Sequence, residues 1–571
     1  MKVTDYIISF LISKGITDIF GYPGGVICHL LDSVSKYEDK ISAHCAYHEQ
    51  AAAFAACGYA QEACKVGVAY STSGPGATNL VTGIANAYFD SIPTIFLTGQ
   101  VDTYGLKGNL PIRQRGFQET DVVSIVKSIT KYAMCVESPE DIKYYLEKAY
   151  HIATEGNPGP VLLDLPADVQ RADVDIDSLK GYMLDENLLQ SGEYVVILDV
   201  LRSELEKAKC PCVLVGNGVK QSGMKNQLRD IVEALNLPVV FSMPAFDTLP
   251  YKHKLNLGFI GANGHRYANF VLGKSDLIIS IGSRLDLKQV GNKREQFALN
   301  AKLIRIDIDK NAFYYPVRND EIQLYGDVID LFPRWLREID SFKKGDEGWI
   351  LKCQSLKSDL EGYDDTSYTK LIREVGKKLP SDIRITADVG QSEVWIAQNF
   401  QVKDGQSVHL SAGHGAMGYS LPAAIGVHYA SKKDVYCFNG DGGIQMNIQE
   451  LQFIVRENLP IKIIILNNQA LGMIRGFQEA NFEKNYIHTI RGTGYSAPDF
   501  SKIAFAYQVP YFYIEDVDDL REIDHLPKGP VIIEVRLPEE TVLMPNFGAN
   551  GVIQEQRPYM DKDLYNKLMN L

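Results

Sequence analysis

A lone carboxylate, Asp441, stands among glycines directly after an apolar stretch that is typical of a buried strand. A second apolar stretch is followed by Asn468. In open α/β sheets, ligands bind beyond the carboxyl ends of the strands. If these two strands are neighbours, a carboxylate and an amide oxygen converge, and such oxygens suit Mg²⁺. Gly440, Gly442 and Gly443 would let the backbone approach a diphosphate closely.

The G-D-G triplet has a second interpretation, because aspartate followed by glycine is common turn chemistry. Taken alone, the triplet fits a tight turn as well as it fits a metal site. The paired asparagines after the next strand pattern favour the metal site. The spacing therefore predicts a metal-bridged diphosphate with Asp441 as its anchor.

The elements that would position these residues are strands rich in Val, Ile and Leu that alternate with helical patterns. Near-continuous apolar strands indicate parallel sheets covered on both faces, and the alternation indicates βαβ units. Polar stretches at 171–192 and 341–368 are interpreted as linkers. They predict three doubly wound α/β domains at 1–172, 190–342 and 365–545, followed by a C-terminal tail at 546–571.

Composition narrows the class of partner and compartment. The 571 residues carry a formal net charge of −13, which argues against nucleic-acid binding through a general basic surface. Nine scattered cysteines without a C-x-x-C pair are typical of reduced thiols. The first residues predict an amphipathic helix rather than a signal peptide, and no apolar run is long enough to span a membrane. We expect a cytoplasmic protein.

Several longer motifs accompany G-D-G and N-N, in this order along the chain: FGYPGG, HEQAAAFAACGYA, STSGPGATN, GFQETD, GNPGPVLLDLPADV, GSRLDL, DVGQSEVW and AMGYSLPAAIG. Together they cover nearly the whole chain. The sequence resembles thiamine-diphosphate enzymes, and more specifically the catalytic subunits of acetohydroxyacid synthase (acetolactate synthase). The resemblance implies a pyrimidine-binding domain, a central domain and a diphosphate-binding domain, in that order.

The resemblance also assigns roles at the cofactor. Glu49 matches the catalytic glutamate, which would share a proton with N1′ of the cofactor; by itself, a Glu opening an Ala-rich helix would suggest simple dipole complementation. Gly415 matches the residue whose carbonyl accepts from the 4′-amino group. Met417 matches a wedge that keeps the cofactor bent, although methionine is often plain core packing.

Further cofactor and metal contacts follow from the same match. Gln391 and Ser392 correspond to diphosphate contacts, and Gly472 and Met473 correspond to further cofactor-binding positions. Ala470 corresponds to the position that supplies a backbone carbonyl to the metal, beside Asp441 and Asn468.

For the substrate, Arg284 matches the residue that meets the acceptor's carboxylate, and an arginine fork suits that task. Phe117 and Gln118 match residues at the substrate entrance. The implied reaction decarboxylates pyruvate and transfers the two-carbon unit to a second pyruvate, giving 2-acetolactate in branched-chain amino acid biosynthesis. The active site would form between two subunits of a homodimer or homotetramer, and a regulatory subunit is left open.

The sequence also departs from the family pattern. Phe477 replaces a tryptophan that helps select a larger acceptor, and pockets discriminate a methylene by only ~1–3 kcal/mol. Asn157 stands where the synthases have an arginine that contacts FAD, and Ala167 stands where many have lysine. FAD therefore remains a third cofactor that the resemblance allows beside thiamine diphosphate and Mg²⁺.

Three other activities stay open at this point. The two-carbon unit could go to another ketone or aldehyde, such as a nucleotide-linked keto-sugar, which Phe477 and the unusual tail would fit. A 2-oxo acid decarboxylase would release aldehyde, and a pyruvate oxidase would need FAD and oxygen. A non-catalytic binding protein is disfavoured because Glu49 and Asp441 are both present.

Overall fold

The computed structural model describes residues 1–183, 191–546, 548 and 551–570. The strands in this part of the chain form three six-stranded sheets, and every strand pairing in them is parallel. Helices alternate with the strands throughout. The predicted α/β class with three parallel-sheet domains is confirmed.

The first sheet comes from the N-terminal third of the chain. Its strands are β1 Asp18–Gly21, β2 Ser42–Cys45, β3 Gly67–Ser71, β4 Thr94–Gln100, β5 Tyr132–Cys135 and β6 Pro160–Pro166. The accompanying helices are α1 Val3–Ser13, α2 Cys28–Ser35, α3 Glu49–Ala63, α4 Pro75–Asn79, α5 Val81–Phe89, α6 Val122–Val126, α7 Ile142–Thr154 and α8 Ala167–Arg171. The strand order is β2-β1-β3-β4-β6-β5. The predicted first helix is α1, which buries Val3, Ile7 and Leu11 along one face.

The second sheet has the order of a dinucleotide-binding fold. Its strands are β7 Pro211–Val215, β8 Val239–Phe241, β9 Asn256–Phe259, β10 Leu277–Ile281, β11 Lys302–Asp307 and β12 Ile322–Tyr325. Its helices are α9 Ser191–Lys207, α10 Asn217–Gln221, α11 Lys225–Leu235, α12 Arg266–Lys274, α13 Leu287–Val290, α14 Val328–Arg337 and α15 Glu347–Leu360. The order β12-β11-β10-β7-β8-β9 reverses direction between β7 and β10, which is where such sheets open a crevice.

The third sheet repeats the topology of the first. Its strands are β13 Arg384–Ala387, β14 Ser407–Leu410, β15 Val435–Gly440, β16 Ile461–Asn467, β17 Tyr511–Ile514 and β18 Val531–Arg536. The helices are α16 Ser367–Lys378, α17 Gln391–Asn399, α18 Ser420–Ser431, α19 Glu450–Arg456, α20 Gly472–Asn481, α21 Phe500–Tyr507 and, in the tail, α22 Lys562–Asn570. The order β14-β13-β15-β16-β18-β17 is the order of the first sheet shifted by twelve strands.

The two predicted linkers differ in the structure. Residues 184–190 of the first lie outside the described part of the chain. The second, 341–368, is not a simple linker, because it contains α15. This helix buries Trp349, Cys353 and Leu356, and the Trp349 indole donates to the carbonyl of Pro211 at 2.9 Å. The domain boundaries given above stay predictions.

Helices α3 and α18 join the first and third domains at close range. A Cβ on Gly58 of α3 would overlap the carbonyl of Ala423, and one on Gly426 of α18 would overlap the carbonyl of Ala55. Only glycine permits two backbones to approach this closely. The contact fixes the start of α3, where Glu49 lies, relative to the loop before α18, which carries Gly415 and Met417. Within the described residues, no helix is long and apolar enough to cross a membrane.

Candidate active site at the carboxyl edge of the third sheet

The two strands that precede Asp441 and Asn468 are neighbours. Strand β15 pairs with β16 in parallel, and Gly440 lies opposite Leu466. Asp441 and Asn468 therefore leave the same edge of the sheet from adjacent strands, as the sequence predicted. Both side chains are almost fully buried, Asp441 with 1% of its surface exposed.

The Asp441 carboxylate has one side-chain partner of note. Its Oδ2 accepts a hydrogen bond from the Tyr495 hydroxyl at 3.0 Å. Burial raises the pKa of Asp441 to about 7, and the hydrogen bond from Tyr495 opposes that rise. A buried carboxylate of this kind is stabilised in its charged form by a bound cation.

Asn468 is held by residues from two other strand ends. Its Nδ2 donates to Oε1 of Gln391 at 3.1 Å and to the hydroxyl of Thr541 at 2.8 Å. Because both amide hydrogens are engaged there, the amide oxygen faces the other way; it accepts from the backbone N–H of Ala470 at 3.3 Å. The amide oxygen therefore has no side-chain partner among these bonds, and its contact is the backbone of the same turn.

Asp388 lies at the same sheet edge, directly after β13. Its carboxylate is fully buried and accepts from the backbone N–H groups of Gly418, Tyr419 and Ser420, while burial raises its pKa to about 6. The Ser392 hydroxyl donates to the Asp388 carbonyl at 2.8 Å. This carboxylate fixes the loop before α18 against the start of α17.

Gly443 is the position where this packing tolerates no side chain. A Cβ there would overlap the Asp388 carboxylate, which three backbone N–H groups hold in place. We expect Gly443→Ala to lower the free energy of unfolding by about 1–3 kcal/mol or more, as overpacking does. Gly476→Ala in α20 is the matched control, since a Cβ there meets no atom within 4 Å. Thermal unfolding should show a lower midpoint for the first variant alone; equal midpoints would contradict this account.

The other predicted cofactor residues surround the same edge. A Cβ on Gly472 would overlap Oε1 of Gln391, and one on Gly442 would lie 3.6 Å from the Met417 methyl group. Gly415 has a φ of +68°, a conformation that favours glycine. Met473 is 40% exposed at the start of α20. The structure thus gathers the predicted diphosphate and metal residues around one sheet edge.

Glu49 belongs to a second group, formed within the first domain. It is 7% exposed at the first position of α3, where the His48 side chain caps the helix by accepting from the N–H of Gln50 at 3.1 Å. Asn79 donates to Oε2 of Glu49 at 2.9 Å, and a Cβ on Gly76 would lie 3.1 Å from Oε1. The carboxylate therefore sits in a close-fitting cradle.

The two groups approach each other within one chain, because Asn447, which follows Asp441 and its glycines, donates to Oε1 of Gln50 beside Glu49 at 3.2 Å. Among the described residues, no hydrogen bond or ion pair joins Glu49 to Asp441. Of the predicted substrate residues, Phe117 is 85% exposed, and Gln118, with a φ of +62°, packs against Gly74 on the Glu49 side.

Arg284 opens onto a large cavity at the crevice of the second sheet. The cavity measures about 510 Å³ and lies beyond the carboxyl ends of β7, β8, β10, β11 and β12. The guanidinium of Arg284 donates to the carbonyl of Phe89 at 3.2 Å and to Asp286 at 3.0 Å, and its side chain is 54% exposed. The cavity also borders Gly390 and Met473, so it reaches the edge that carries Asp441.

Sequence reasoning missed four polar residues of this region: Asp388, Glu393, Tyr495 and Thr541. Asp388 directly follows β13, so the rule that located Asp441 could have found it. Glu393 lines the cavity with an unpartnered Oε2, and burial raises its pKa to about 8. Tyr495 and Thr541 lie in irregular segments, and their spacing carries no signal.

Comparison with known families gives the class. Residues 1–125, 198–334 and 388–535 match, respectively, the N-terminal TPP-binding, central and C-terminal TPP-binding domains of thiamine pyrophosphate enzymes. The three sheets and the edge around Asp441 fall inside or beside these matches.

Relatives refine the class to a family. The large subunit of acetolactate synthase isozyme 2 from Escherichia coli (strain K12) is 33% identical over 568 residues, which is 97% of this chain and 100% of the relative. The acetolactate synthase large subunit of Lactococcus lactis subsp. lactis (strain IL1403) is 36% identical over 548 residues, or 94% and 92% of the two chains. A probable acetolactate synthase large subunit from Methanocaldococcus jannaschii is 36% identical over 544 residues, or 91% and 89%. The chain belongs to the acetolactate synthase large-subunit family.

Proposed function

We propose that this protein is a carboligase dependent on thiamine diphosphate and Mg²⁺ that joins two pyruvate molecules into 2-acetolactate with loss of CO₂. The observation that carries the proposal is the convergence of Asp441, Asn468 and Gln391 at one sheet edge in a chain of this family. When bound, thiamine diphosphate supplies the nucleophilic carbon and takes up the electrons that decarboxylation releases.

The residues at this edge fit a magnesium ion and a diphosphate. Asp441 offers a buried carboxylate, Asn468 an amide oxygen and Ala470 a backbone carbonyl, which are ligands that Mg²⁺ accepts alongside phosphate oxygens. No three His, Cys, Asp or Glu side chains converge as a metal cluster in the described residues, and the proposed donor set contains a single carboxylate. Gly440 has only the Ser392 hydroxyl near its Cβ position, at 3.9 Å, so the backbone there is open to a diphosphate.

Glu49 is proposed to hold a proton at its carboxylate against the pyrimidine ring. Burial keeps water away, the hydrogen bond from Asn79 holds Oε2, and the missing side chain at Gly76 leaves space beside Oε1. Gly415 and Met417 would orient the ring from the third domain. General acid–base help of this kind contributes ~10²–10⁴-fold to rate.

Arg284, Phe117 and Gln118 are proposed to bind the substrate. Arg284 is held at the mouth of the large cavity by Phe89 and Asp286, and its exposed guanidinium can receive the acceptor's carboxylate in a fork geometry. The exposure of Phe117 supports a place at a subunit boundary.

We propose a homodimer, or a homotetramer built from such dimers, with active sites between subunits. One observation supports this assembly: Phe117, a predicted substrate-entrance residue, presents a large aromatic surface to the outside. A regulatory subunit, a cytoplasmic location and a place in branched-chain amino acid biosynthesis stay predictions.

The large cavity is proposed as an FAD site. It lies at the point where the strand order reverses, and a Cβ on Gly216 would overlap the carbonyl of Gly282, so the two strand ends approach as dinucleotide folds require. Asn157 stands where the synthases have an arginine, so this chain lacks that positive charge. The Asn157 amide donates to Asp309 at 3.1 Å. We therefore expect FAD to bind, with a weakened hold on its phosphates.

A product assay tests the proposal. Purified protein is incubated with thiamine diphosphate, Mg²⁺ and pyruvate, with and without FAD, and acetolactate, acetaldehyde, CO₂ and oxygen uptake are quantified. We expect one molecule of acetolactate for every two molecules of pyruvate consumed. Acetaldehyde as main product would favour a decarboxylase, and oxygen uptake that requires FAD would favour a pyruvate oxidase; either would overturn the proposal.

One observation favours a second acceptor. Phe477 on α20 is 58% exposed, so the side where the family places a tryptophan is open in this chain. Slow CO₂ release from pyruvate with little acetolactate would point to a bulkier ketone, such as a nucleotide-linked keto-sugar. Adding such a ketone should then accelerate CO₂ release.

A further inference from the structure

Residues 487–495, named here the cover segment, lie between α20 and α21 and touch two of the three proposed magnesium ligands. Ile490 forms an isolated antiparallel bridge with Ala470, and Tyr495 reaches Asp441. Neither contact follows from the family motifs quoted above. The cover segment is therefore placed to influence the proposed magnesium site.

Its first contact fixes a carboxylate. The Tyr495 hydroxyl donates to Oδ2 of Asp441 at 3.0 Å, and it lies 3.2 Å from the Cβ position of Gly442. Gly442 has no Cβ to crowd the hydroxyl, and the hydrogen bond to Oδ2 restricts rotation of the carboxylate. Oδ1 is left as the oxygen that can bind a cation.

The second contact fixes a carbonyl. The backbone N–H of Leu471 donates to the carbonyl of Thr489 at 2.9 Å. The peptide between Ala470 and Leu471 is trans, so its C=O points opposite to its N–H. The Ala470 carbonyl therefore faces away from the cover segment, and the donated hydrogen bond polarises it as a ligand.

The cover segment is itself anchored to α20. The buried Thr489 hydroxyl donates to Oε1 of Gln478 at 2.7 Å, and Nε2 of Gln478 donates to the carbonyl of Ile487 at 3.0 Å. A turn closes the segment, since the N–H of His488 donates to the carbonyl of Thr493 at 2.8 Å. These bonds fix the cover segment against α20, so that it can hold Asp441 and Ala470 in place.

We propose that the cover segment positions the magnesium ligands: Tyr495 orients the carboxylate of Asp441, and Thr489 orients the carbonyl of Ala470. Tyr495 is a positioning residue, since it acts through Asp441. The inference rests on the proposed magnesium site. Partners in the outer layer of a metal site set the affinity for the ion, and their loss typically weakens binding by roughly 10–100-fold.

The test replaces Tyr495 with Phe, which keeps the ring and removes the hydroxyl. Mn²⁺ serves as the probe, and its binding to the whole chain is followed by electron paramagnetic resonance in the presence of thiamine diphosphate, without turnover. We expect the Kd for Mn²⁺ to rise by roughly 10–100-fold in Tyr495→Phe. Tyr486→Phe is the matched control, because it removes the same hydroxyl from a tyrosine outside the cover segment. The Tyr486 ring lies 5.9 Å from the Arg475 guanidinium. The Kd of this control should stay at the wild-type value.

The outcomes separate the two proposals. If the wild-type chain fails to bind Mn²⁺ with thiamine diphosphate, the proposed magnesium site is wrong. If the wild type binds and Tyr495→Phe binds equally well or more tightly, the positioning role is overturned. A positioning role further predicts that saturating Mn²⁺ restores thiamine diphosphate affinity in the variant. A general structural lesion would leave that affinity low at any Mn²⁺ concentration.

Discussion

Replacing Glu49 with Gln should reduce acetolactate formation by roughly 10²–10⁴-fold while the protein still folds and binds thiamine diphosphate. Glutamine has the shape of glutamate, so its amide oxygen can still accept from Asn79, which donates to Oε2 at 2.9 Å. The amide nitrogen then occupies the place of Oε1, close to Gly76. A group proposed to share a proton with the cofactor is thereby replaced by one that can only donate at that position.

The measurement pairs steady-state acetolactate formation with thiamine diphosphate affinity determined by calorimetry. Glu450→Gln is a matched control, since Glu450 is also buried and accepts from the backbone N–H of Tyr47 beside the same helix. Burial raises the pKa of Glu450 to about 7, so a neutral amide is a mild change there. Turnover of Glu49→Gln near the wild-type value would refute the catalytic role, and loss of cofactor binding would instead mean that Glu49 holds the cofactor.

The core of the candidate site could be predicted from the sequence because parallel strands carry their own directional information. Asp441 and Asn468 follow two apolar stretches, and the shared edge required only that these strands be neighbours. The pairing of β15 with β16 confirms that condition. The α/β class followed in the same way from apolar strands alternating with helices.

Other parts of the site could not be predicted because they depend on contacts between distant segments. Thr541 reaches Asn468 from beyond β18, and Tyr495 reaches Asp441 from an irregular segment. Side-chain periodicity carries no information about either. The strand order, which brings Asp388 beside Asp441, likewise depends on how the third sheet is wound rather than on any local pattern.

The error at 341–368 has a different cause. The sequence there is polar overall, but α15 needs only one apolar face, and Trp349, Cys353 and Leu356 supply it at helical spacing. The charged residues between them occupy the outer face. Composition averaged over the stretch concealed a periodicity that was present.

Replacing Asp441 with Ala should abolish most of the Mg²⁺-dependent binding of thiamine diphosphate. The variant loses the one carboxylate of the proposed donor set, in which Asp441 would be a direct ligand. We therefore expect a loss larger than the roughly 10–100-fold typical of outer-layer partners. Asp441→Asn keeps an oxygen and an acceptor for Tyr495 but loses the charge, so its affinity should fall between those of the wild type and Asp441→Ala.

Calorimetric titration of thiamine diphosphate at several Mg²⁺ concentrations measures this effect, with the exposed Glu515→Ala as a control on the same domain. Unchanged affinity in Asp441→Ala would show that the metal binds elsewhere.

The same variant should also change the thermal stability of the protein. Asp441 is a carboxylate with 1% of its surface exposed, and burial raises its pKa to about 7. Without cofactor, removal of this group should leave the unfolding midpoint unchanged or higher, because an unneutralised buried carboxylate is costly.

With Mg²⁺ and thiamine diphosphate present, the order of stabilities should reverse. A ligand that binds only the folded state raises the unfolding midpoint in proportion to its affinity, and the wild type alone retains that affinity. The wild type should therefore gain a large shift in midpoint, and Asp441→Ala little or none. A variant that is equally or more stable when empty, yet fails to respond to cofactor, would identify Asp441 as a residue kept for binding at the expense of stability. A variant less stable in both states would instead make Asp441 a structural residue of the turn after β15.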